Sequence, residues 1–235
     1  MLLTDWAGSH DGYRVGLLAD PHVRDRETVS LTRRALEYLV RESPDMIAFA
    51  GDMVSYWKSG VEEMLREALE PLKGYSGDCI AVLGNHDYYG GDPERLRPLL
   101  EEFGVRLLVN ECWNVGGVDW VGVDSATEGE ADPYGTILKC DPTTPTIVLW
   151  HEPDFVDVLP KGPDLMLAGH SHGGQFTTPW GWAPMTSRHG KKYLRGFYTG
   201  SPVPIYVSRG LGTTGPPARL FCSPEVTVLT LCRKP

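Results

Sequence analysis

The chain lacks any apolar run long enough to cross a membrane. Its longest apolar stretches, Thr146–Trp150 and Leu165–Ala168, are strand-sized, whereas a transmembrane helix needs about 18 or more apolar residues in a row. Residues 1–13 also lack the basic and apolar regions of a secretory signal. We therefore expect no integral membrane span and a cytoplasmic location, or an exported or membrane-associated protein if a leader was removed, with peripheral membrane contact left open.

Cysteine is scarce. The 235 residues include five cysteines, at positions 79, 112, 140, 222 and 232. Their number is odd, no two form a Cys-x-x-Cys pair, and most lie in apolar surroundings where a reduced, buried thiol fits. We therefore expect a reducing compartment and no cysteine ligands in a metal site.

Positive charge is in deficit, because 22 Lys and Arg stand against 31 Asp and Glu and give a formal net charge of −9 with histidine neutral. Binding a phosphate backbone needs clustered Lys and Arg. The one basic concentration, Arg188–Arg195, is either a solvated loop or an anion-attracting lip beside an active site. The composition thus disfavours a nucleic-acid partner.

The chain has no internal repeat and no Gly/Ser- or Pro-rich linker, so we predict one domain over residues 1–235. Its first half alternates short apolar runs with helical patterns, which predicts a βαβαβ opening. The predicted strands there are Val15–Ala19, Met46–Ala50 and Cys79–Leu83, and the helices are Thr28–Arg41 and Val61–Leu72.

A third helix is predicted at Pro93–Phe103, where Asp92 can cap and Pro93 fits the first turn. The strands predicted after it are Val105–Val109, Val118–Val123, Ile147–Trp150, Leu165–Ala168, Gly196–Tyr198, Ile205–Ser208 and Val226–Leu231. This strand-rich second half indicates a layered sheet structure flanked by helices.

Polar residues directly follow five of the predicted strands. They are Asp20 and His22, Gly51 and Asp52, Gly84–Asp87, His151, and Gly169–His172. Loops that leave the carboxyl ends of strands converge on one crevice of an α/β sheet. Any single block could instead contain a turn-forming residue, or a histidine whose hydrogen bonds are all made within the protein. The five blocks together indicate a site.

Histidine is concentrated at these strand ends, since five of the seven histidines occur there and only His10 and His189 stand apart. Imidazole, carboxylate and amide donors without thiolate suit Mn²⁺, Fe or Zn²⁺ better than soft metals. His170 and His172 are two residues apart, so both rings can face one site and still bind different metal ions. The sequence therefore indicates a metal centre.

The polar blocks resemble, in content and order, the five-block signature of the calcineurin-like metallophosphoesterases. The blocks are Asp20-x-His22, Gly51-Asp52, Gly84-Asn85-His86-Asp87, His151 and Gly169-His170-x-His172. Further along, Gly169–Gln175, Tyr206–Gly212 and Pro224-Glu225 resemble a bacterial branch of small phosphodiesterases and UDP-diacylglucosamine pyrophosphohydrolases. The resemblance implies an α/β fold, a four-layer αββα sandwich of two mixed β-sheets flanked by helices.

The resemblance also implies two divalent metal ions, Mn, Fe or Zn, with Mn favoured. The implied ligands form a first group, a second group and one shared carboxylate: Asp20, His22 and His172; Asn85, His151 and His170; and Asp52. A metal-bridging hydroxide would attack phosphorus in line, and no protein nucleophile would be required.

His86 is the histidine left without a metal. By the resemblance and by its chemistry, it would protonate the leaving oxygen or stabilise the transition state. Asp87 would hold the tautomer of His86 and raise its basicity, or would instead cap a helix or turn.

Residues beyond these blocks offer substrate contacts. Tyr88 follows the fourth-strand block directly, and Arg209 could bind a phosphate bidentately or pair with a structural carboxylate. Other aromatic residues could stack on a substrate or pack their loop onto the body; they are Tyr89, Trp180, Trp182 and Tyr193.

The sequence thus predicts a binuclear metal-dependent phosphohydrolase that acts on a small phosphodiester or pyrophosphate. The preference for a diester rests on the resemblance to the bacterial branch, because the same fold also carries monoesterases and nucleases. The net charge of −9 opposes a nuclease. A non-catalytic scaffold should have lost ligands, whereas every expected position is filled.

Overall fold

The computed structural model describes residues 1–4 and 6–235, and two six-stranded sheets dominate them. In spatial order, the first sheet contains β1 (Leu2–Leu3), β12 (Thr227–Arg233), β2 (Tyr13–Leu18), β3 (Met46–Ala50), β4 (Asp78–Val82) and β5 (Val105–Leu107). The second contains β10 (Gly196–Tyr198), β11 (Ile205–Val207), β9 (Leu165–Ala168), β8 (Thr146–Leu149), β7 (Val118–Gly122) and β6 (Glu111–Val115).

The first sheet is mostly parallel, with β2, β3, β4 and β5 aligned and β12 antiparallel to β2. Parallel neighbours need crossover connections. These are supplied by α1 (Arg26–Glu42), by α2 (Val61–Leu69) with the 3₁₀ segment Glu70–Gly74, and by α3 (Leu96–Glu101). The predicted βαβαβ opening is therefore confirmed.

Helix α1 has well-defined ends that fix the loop between β2 and the helix. The Asp25 carboxylate accepts the backbone N–H of Thr28 at 2.9 Å, and the Thr28 hydroxyl lies 3.1 Å from the backbone N of Asp25. This reciprocal capping box satisfies N–H groups that a helix start leaves unpaired. At the other end, Ser43 adopts a left-handed conformation, which is a common way to end a helix.

Three layers of buried apolar side chains separate the sheets and helices. Ile47 and Phe49 of β3 pack towards the helices, whereas Ala48 and Ala50 pack towards the second sheet, as the two-residue period of a strand requires. The outer face of the second sheet buries Val148 and Met166. It is covered in part by the 3₁₀ segment Pro153–Val158, whose Val156 belongs to that cluster. This arrangement confirms the predicted layered sandwich of two mixed sheets with helical flanks.

Some elements differ from the sequence-based expectation. The patterns miss β1, β6 and α4 (Pro133–Ile137), because β1 and α4 are very short and β6 has no buried residue to mark its inner face. The helix predicted at Val61–Leu72 ends at Leu69, and the one predicted at Pro93–Phe103 starts with the 3₁₀ turn Pro93–Arg95. Within the described residues, no helix has both the length and the apolar character needed to span a bilayer.

Two cysteines contradict the expectation of reduced thiols. Cys112 on β6 and Cys140 after α4 form a disulfide, with Cα atoms 6.0 Å apart. The two are 28 residues apart in sequence, and only the packing of α4 beside β6 brings them within bonding reach. Among the described residues, Cys79, Cys222 and Cys232 are free.

Candidate active site

All of the predicted ligand-type residues meet at one edge of the sandwich. Asp20 and His22 follow β2, Asp52 follows β3, and Asn85 follows β4 of the first sheet. His151 follows β8, and His170 and His172 follow β9 of the second sheet. Parallel neighbours end at the same sheet edge, so the loops after these strands converge on a single cleft.

The backbone at this edge is strained. Five residues have a positive φ there: Asp20 (52°), His22 (47°), Asp52 (55°), His170 (65°) and His172 (50°). A non-glycine residue in such a conformation costs about 1–3 kcal/mol and persists only where its surroundings hold it. Strain of this kind is typical of functional sites.

Glycines permit close approach of the backbone beside these turns. Gly51 has a φ of 86°, and a Cβ there would lie 2.6 Å from His151 Nδ1. A Cβ at Gly84 would collide with the Asp52 carboxylate. Glycine is therefore required at both positions by packing, and at Gly51 also by conformation.

The first group of ligand-type residues, Asp20, His22 and His172, is buried. His22 Nε2 lies 3.0 Å from His172 Nε2 and 3.4 Å from Asp52 Oδ2. His172 Nε2 lies 3.5 Å from Asp20 Oδ1. Ligand atoms of these three residues and Asp52 all lie within 4.8 Å of one another, which is the spacing of donors around one metal ion.

The second group includes His151 and His170, and it also contains Asp52. His151 Nε2 lies 3.2 Å from Asp52 Oδ2 and 3.2 Å from His170 Nδ1. Asp52 Oδ2 therefore stands between His22 of the first group and His151 of the second. Asp52 Oδ1 accepts the backbone N–H of His86 at 2.8 Å, which holds the carboxylate in place.

Backbone carbonyls fix the tautomers of the second group. His151 Nδ1 donates to the carbonyl of Ala50 at 2.6 Å, and His170 Nε2 donates to the carbonyl of Arg188 at 2.5 Å. A carbonyl can only accept, so the opposite ring nitrogens carry lone pairs when the rings are neutral. These two lone pairs face each other beside Asp52 and require a cation or a proton between them.

Electrostatics also favour cation binding. Burial lowers the pKa of His22 to about 3, so its imidazole is neutral at neutral pH. Burial raises the pKa of Asp20 to about 7; Asp52 adds to this effect and His151 opposes it. Burial acts to lower the pKa of His151, but the charge and hydrogen bond of Asp52 and the charges of Asp20 and Glu152 together raise that pKa well above its usual value. A metal ion would therefore replace protons held by Asp20 and His151 and would bind the neutral ring of His22 directly.

Asn85 supplies a further donor. Its Nδ2 donates to the hydroxyl of Tyr89 at 3.1 Å, while its buried Oδ1 has no hydrogen-bond partner among the described residues. Buried carbonyl oxygens are normally paired, so an unpaired one at this edge is consistent with a metal ligand. The oxygen and imidazole donors present thus fit two divalent metal ions.

The prediction that Asp87 holds the tautomer of His86 is wrong. The Asp87 carboxylate accepts the backbone N–H groups of Val54 at 3.1 Å and Gly84 at 2.9 Å. His86 Nδ1 lies 2.8 Å from the carbonyl of Ser55 instead. Asp87 therefore caps the turn, which was the alternative considered from sequence, and a backbone carbonyl orients His86.

The predicted substrate contacts of Tyr88 and Arg209 are not supported either. The Tyr88 hydroxyl donates to Asp124 at 2.6 Å, and Arg209 Nε donates to Glu225 at 2.6 Å. Both side chains are engaged by structural carboxylates, which for Arg209 is the second of the two alternatives. Tyr89 is the tyrosine that lines the cleft.

The other aromatic residues have different environments. Tyr193 is buried and its hydroxyl donates to Asp157, so it packs its loop onto the body. Trp180 and Trp182 are exposed and do not line the cleft.

Sequence reasoning missed several residues that line the cleft, which has a volume of about 370 Å³. They are Thr127, Glu128, Ser187 and Thr214. None lies next to a ligand block, so the sequence offers no signal for them. Arg188 also lines the cleft, which matches the alternative that the basic segment forms a lip beside the site.

Similarity to known proteins agrees with this geometry. YkuE, a metallophosphoesterase of Bacillus subtilis (strain 168), is 29% identical over 232 residues, which are 94% of this chain and 79% of YkuE. The phosphodiesterase YaeI of Escherichia coli (strain K12) is 30% identical over 226 residues, which are 93% of this chain and 82% of YaeI.

A solved structure shares the fold. It is a dimetal phosphatase from Danio rerio, with a TM-score of 0.52 and 13% identity, covering 85% of this chain and 88% of that one. The family model for calcineurin-like phosphoesterases matches residues 13–174, a segment that contains both groups of ligand-type residues and His86. The chain therefore belongs to the calcineurin-like phosphoesterase family, and it is a phosphoric ester hydrolase.

Proposed function

We propose that this protein hydrolyses a phosphodiester or pyrophosphate bond with two divalent metal ions that share Asp52. The observation that carries the proposal is the position of Asp52 Oδ2, which lies 3.4 Å from His22 Nε2 and 3.2 Å from His151 Nε2. We propose further that residues 1–235 act as one domain.

The two groups of side chains would each hold one metal ion. Asp20, His22 and His172 would hold the first, and Asn85, His151 and His170 would hold the second. Two such ions, when bound, activate water and offset the charge that develops on the phosphoryl oxygens. The donor set contains no thiolate, so Mn²⁺ is a suitable ion for the assay.

His86 acts on the leaving group. Its Nδ1 donates to the Ser55 carbonyl, which leaves Nε2 free for the cleft that the half-buried ring lines. Protonated at Nε2, the ring donates a proton or a hydrogen bond to the leaving oxygen. The ring centre lies 4.6 Å from that of His22, so this donor is adjacent to the metal ligands.

The preference for a diester is supported by similarity, since the chain is 30% identical to a protein named phosphodiesterase, YaeI. The charged residues that line the cleft do not decide this preference. A monoester carries up to two negative charges near neutral pH and a diester carries one, so Glu128 repels the monoester more and Arg188 attracts it more.

The test compares two chromogenic substrates on one preparation. Protein stripped of metal and reconstituted with Mn²⁺ is assayed on bis(p-nitrophenyl) phosphate and on p-nitrophenyl phosphate. We expect turnover that depends on metal and a higher kcat/KM for the diester. A higher kcat/KM for the monoester would overturn the diester assignment, and no turnover on either substrate or on a pyrophosphate with two metal ions bound would overturn the proposed function.

A further inference from the structure

The segment of residues 208–222, here named the C-terminal strap, lies against the loop that carries Asp20. The backbone N–H of Leu211 donates to the carbonyl of Ala19 at 2.9 Å, and that of Gly212 donates to the carbonyl of Asp20 at 2.7 Å. Gly210 packs so closely that a Cβ there would lie 2.7 Å from Asp20 Oδ2. The strap therefore supports the backbone of the first metal-ligand loop, although it lies beyond the segment that the family model matches.

The Arg219 side chain binds two backbone carbonyl groups of this strap. Its guanidinium donates to the carbonyl of Gly210 at 3.0 Å and to that of Gly212 at 2.6 and 2.9 Å. Because one rigid, planar cation binds both carbonyls, it fixes the turn that presses on Asp20.

The same guanidinium also reaches His172. Arg219 Nη1 donates to the His172 carbonyl at 3.0 Å, and Nη2 lies 3.3 Å from His172 Nδ1. His172 has a φ of 50°, so its left-handed conformation needs support from its surroundings. Through these carbonyls, Arg219 contacts the backbone of one first-group residue and the backbone that supports another.

We propose that Arg219 is a positioning residue that pre-organises the first metal site. Its hydrogen bonds join the C-terminal strap, which lies against Asp20, to the left-handed turn at His172. Arg219 does not line the catalytic cleft, so it acts through these two residues and not on substrate. The proposal rests on the proposed function, because it takes Asp20 and His172 as metal ligands.

The second metal site has a different support and serves as an internal reference. Its histidine rings are held by the carbonyls of Ala50 and Arg188. Among the described residues, Arg219 makes no hydrogen bond or ion pair with Asn85, His151 or His170. Loss of Arg219 is therefore expected to weaken one metal site and spare the other.

The test measures Mn²⁺ binding to Arg219→Gln and Arg219→Lys by calorimetry and by electron paramagnetic resonance. Removing a residue that orients a metal ligand typically costs about 10–100-fold in metal affinity. We expect a loss of that size in one of two Mn²⁺ affinities for Arg219→Gln and a smaller loss for Arg219→Lys. The spectrum should change from that of a coupled pair to that of an isolated ion, and excess Mn²⁺ should restore kcat.

Arg14→Gln is the matched control. Arg14 is also a half-buried arginine that donates to a backbone carbonyl, that of Glu42 at 2.6 Å, but it lies at the start of β2. We expect both Mn²⁺ affinities of this variant to equal those of the unchanged protein. Thermal unfolding of all metal-free variants, followed by circular dichroism, shows whether each is folded.

The possible outcomes separate this proposal from the proposed function. If the unchanged protein does not bind two Mn²⁺ ions, the proposed function fails. If it binds two, and a folded Arg219→Gln binds both with unchanged affinity, the role of Arg219 is overturned. Equal loss of both affinities in Arg219→Lys would also overturn it, because a purely structural residue would affect both sites alike.

Discussion

The two groups of ligand-type residues are held in different ways. In the first group, Asp20 and His22 are fully buried and His172 is 3% exposed, and all three have a left-handed backbone. In the second group, His151 is fully buried, whereas Asn85 and His170 are 6% and 8% exposed and line the cleft, as His172 of the first group also does. The first group therefore reaches the cleft through one residue, and the second reaches it through two.

The supports of the two groups differ in the same way. Rings of the second group donate to backbone carbonyls at Ala50 and Arg188, so these carbonyls set their tautomers. The first group depends on the strap that follows β11, through contacts to Asp20 and His172. The ligand-type residues of both groups thus belong to the segment that the family model matches, while part of the support for the first group comes from outside it.

The substitution expected to have the largest effect is Asp52→Asn, because it removes the carboxylate common to both groups. An amide has one oxygen and no charge, so it cannot replace a shared carboxylate. We expect the loss in kcat to exceed the roughly 10²–10⁴-fold contribution of a single general acid, and bound metal, measured by atomic emission, to fall at both sites.

Asp132→Asn is the control for that substitution. Asp132 caps α4 with a hydrogen bond from Gly135 and is far in the chain from any ligand block. Its metal content and kcat should match those of the unchanged protein. Full activity in Asp52→Asn would contradict the shared role of Asp52.

His86→Ala is expected to be next in size and to separate turnover from metal binding. His86 lies beside the first group, with its ring centre 4.6 Å from that of His22, but its Nδ1 is taken by Ser55. Loss of a general acid lowers kcat by about 10²–10⁴-fold. Metal content should stay at two ions, and His10→Ala should leave both quantities unchanged; loss of metal in His86→Ala would show that His86 is itself a ligand.

Asn85→Ala tests whether the second group is independent of the first. Removal of its unpaired Oδ1 should weaken one Mn²⁺ affinity by at least about 10–100-fold, with activity restored by excess Mn²⁺. His22→Ala should weaken the other affinity. If both substitutions weakened the same site, the division into two groups would be wrong.

The smallest expected effect is a loss of stability in Gly84→Ala, which changes the backbone beside Asp52. The added methyl would collide with the Asp52 carboxylate, and such overpacking costs about 1–3 kcal/mol of unfolding free energy. Gly74→Ala is the matched control, since no heavy atom lies within 4 Å of its Cβ position in the described residues. Chemical denaturation of both variants measures the difference, and equal stabilities would contradict the close approach of Gly84 to Asp52.

The sequence was sufficient to predict which strands carry the site. Strands β3 and β9 have the predicted bounds, and the seven ligand-type residues meet as expected. Both results follow from local patterns, because a buried parallel strand is a continuous apolar run and the ligands come directly after it.

Contacts between distant segments could not be predicted in this way. The partners of Asp87, Tyr88 and Arg209 are backbone groups or carboxylates that no spacing reveals. The disulfide between Cys112 and Cys140 likewise depends on the packing of an element, α4, that the pattern missed. Arg219 lies 47 residues after His172 and outside every motif, so only the fold shows that the two are in contact.

The most direct test of a two-metal centre is anomalous diffraction from crystals grown with Mn²⁺. The structure predicts two peaks about 3.5–4 Å apart on either side of the Asp52 carboxylate, one near His22 and His172 and the other near Asn85 and His151. A single peak, or two peaks that do not share Asp52, would contradict the account.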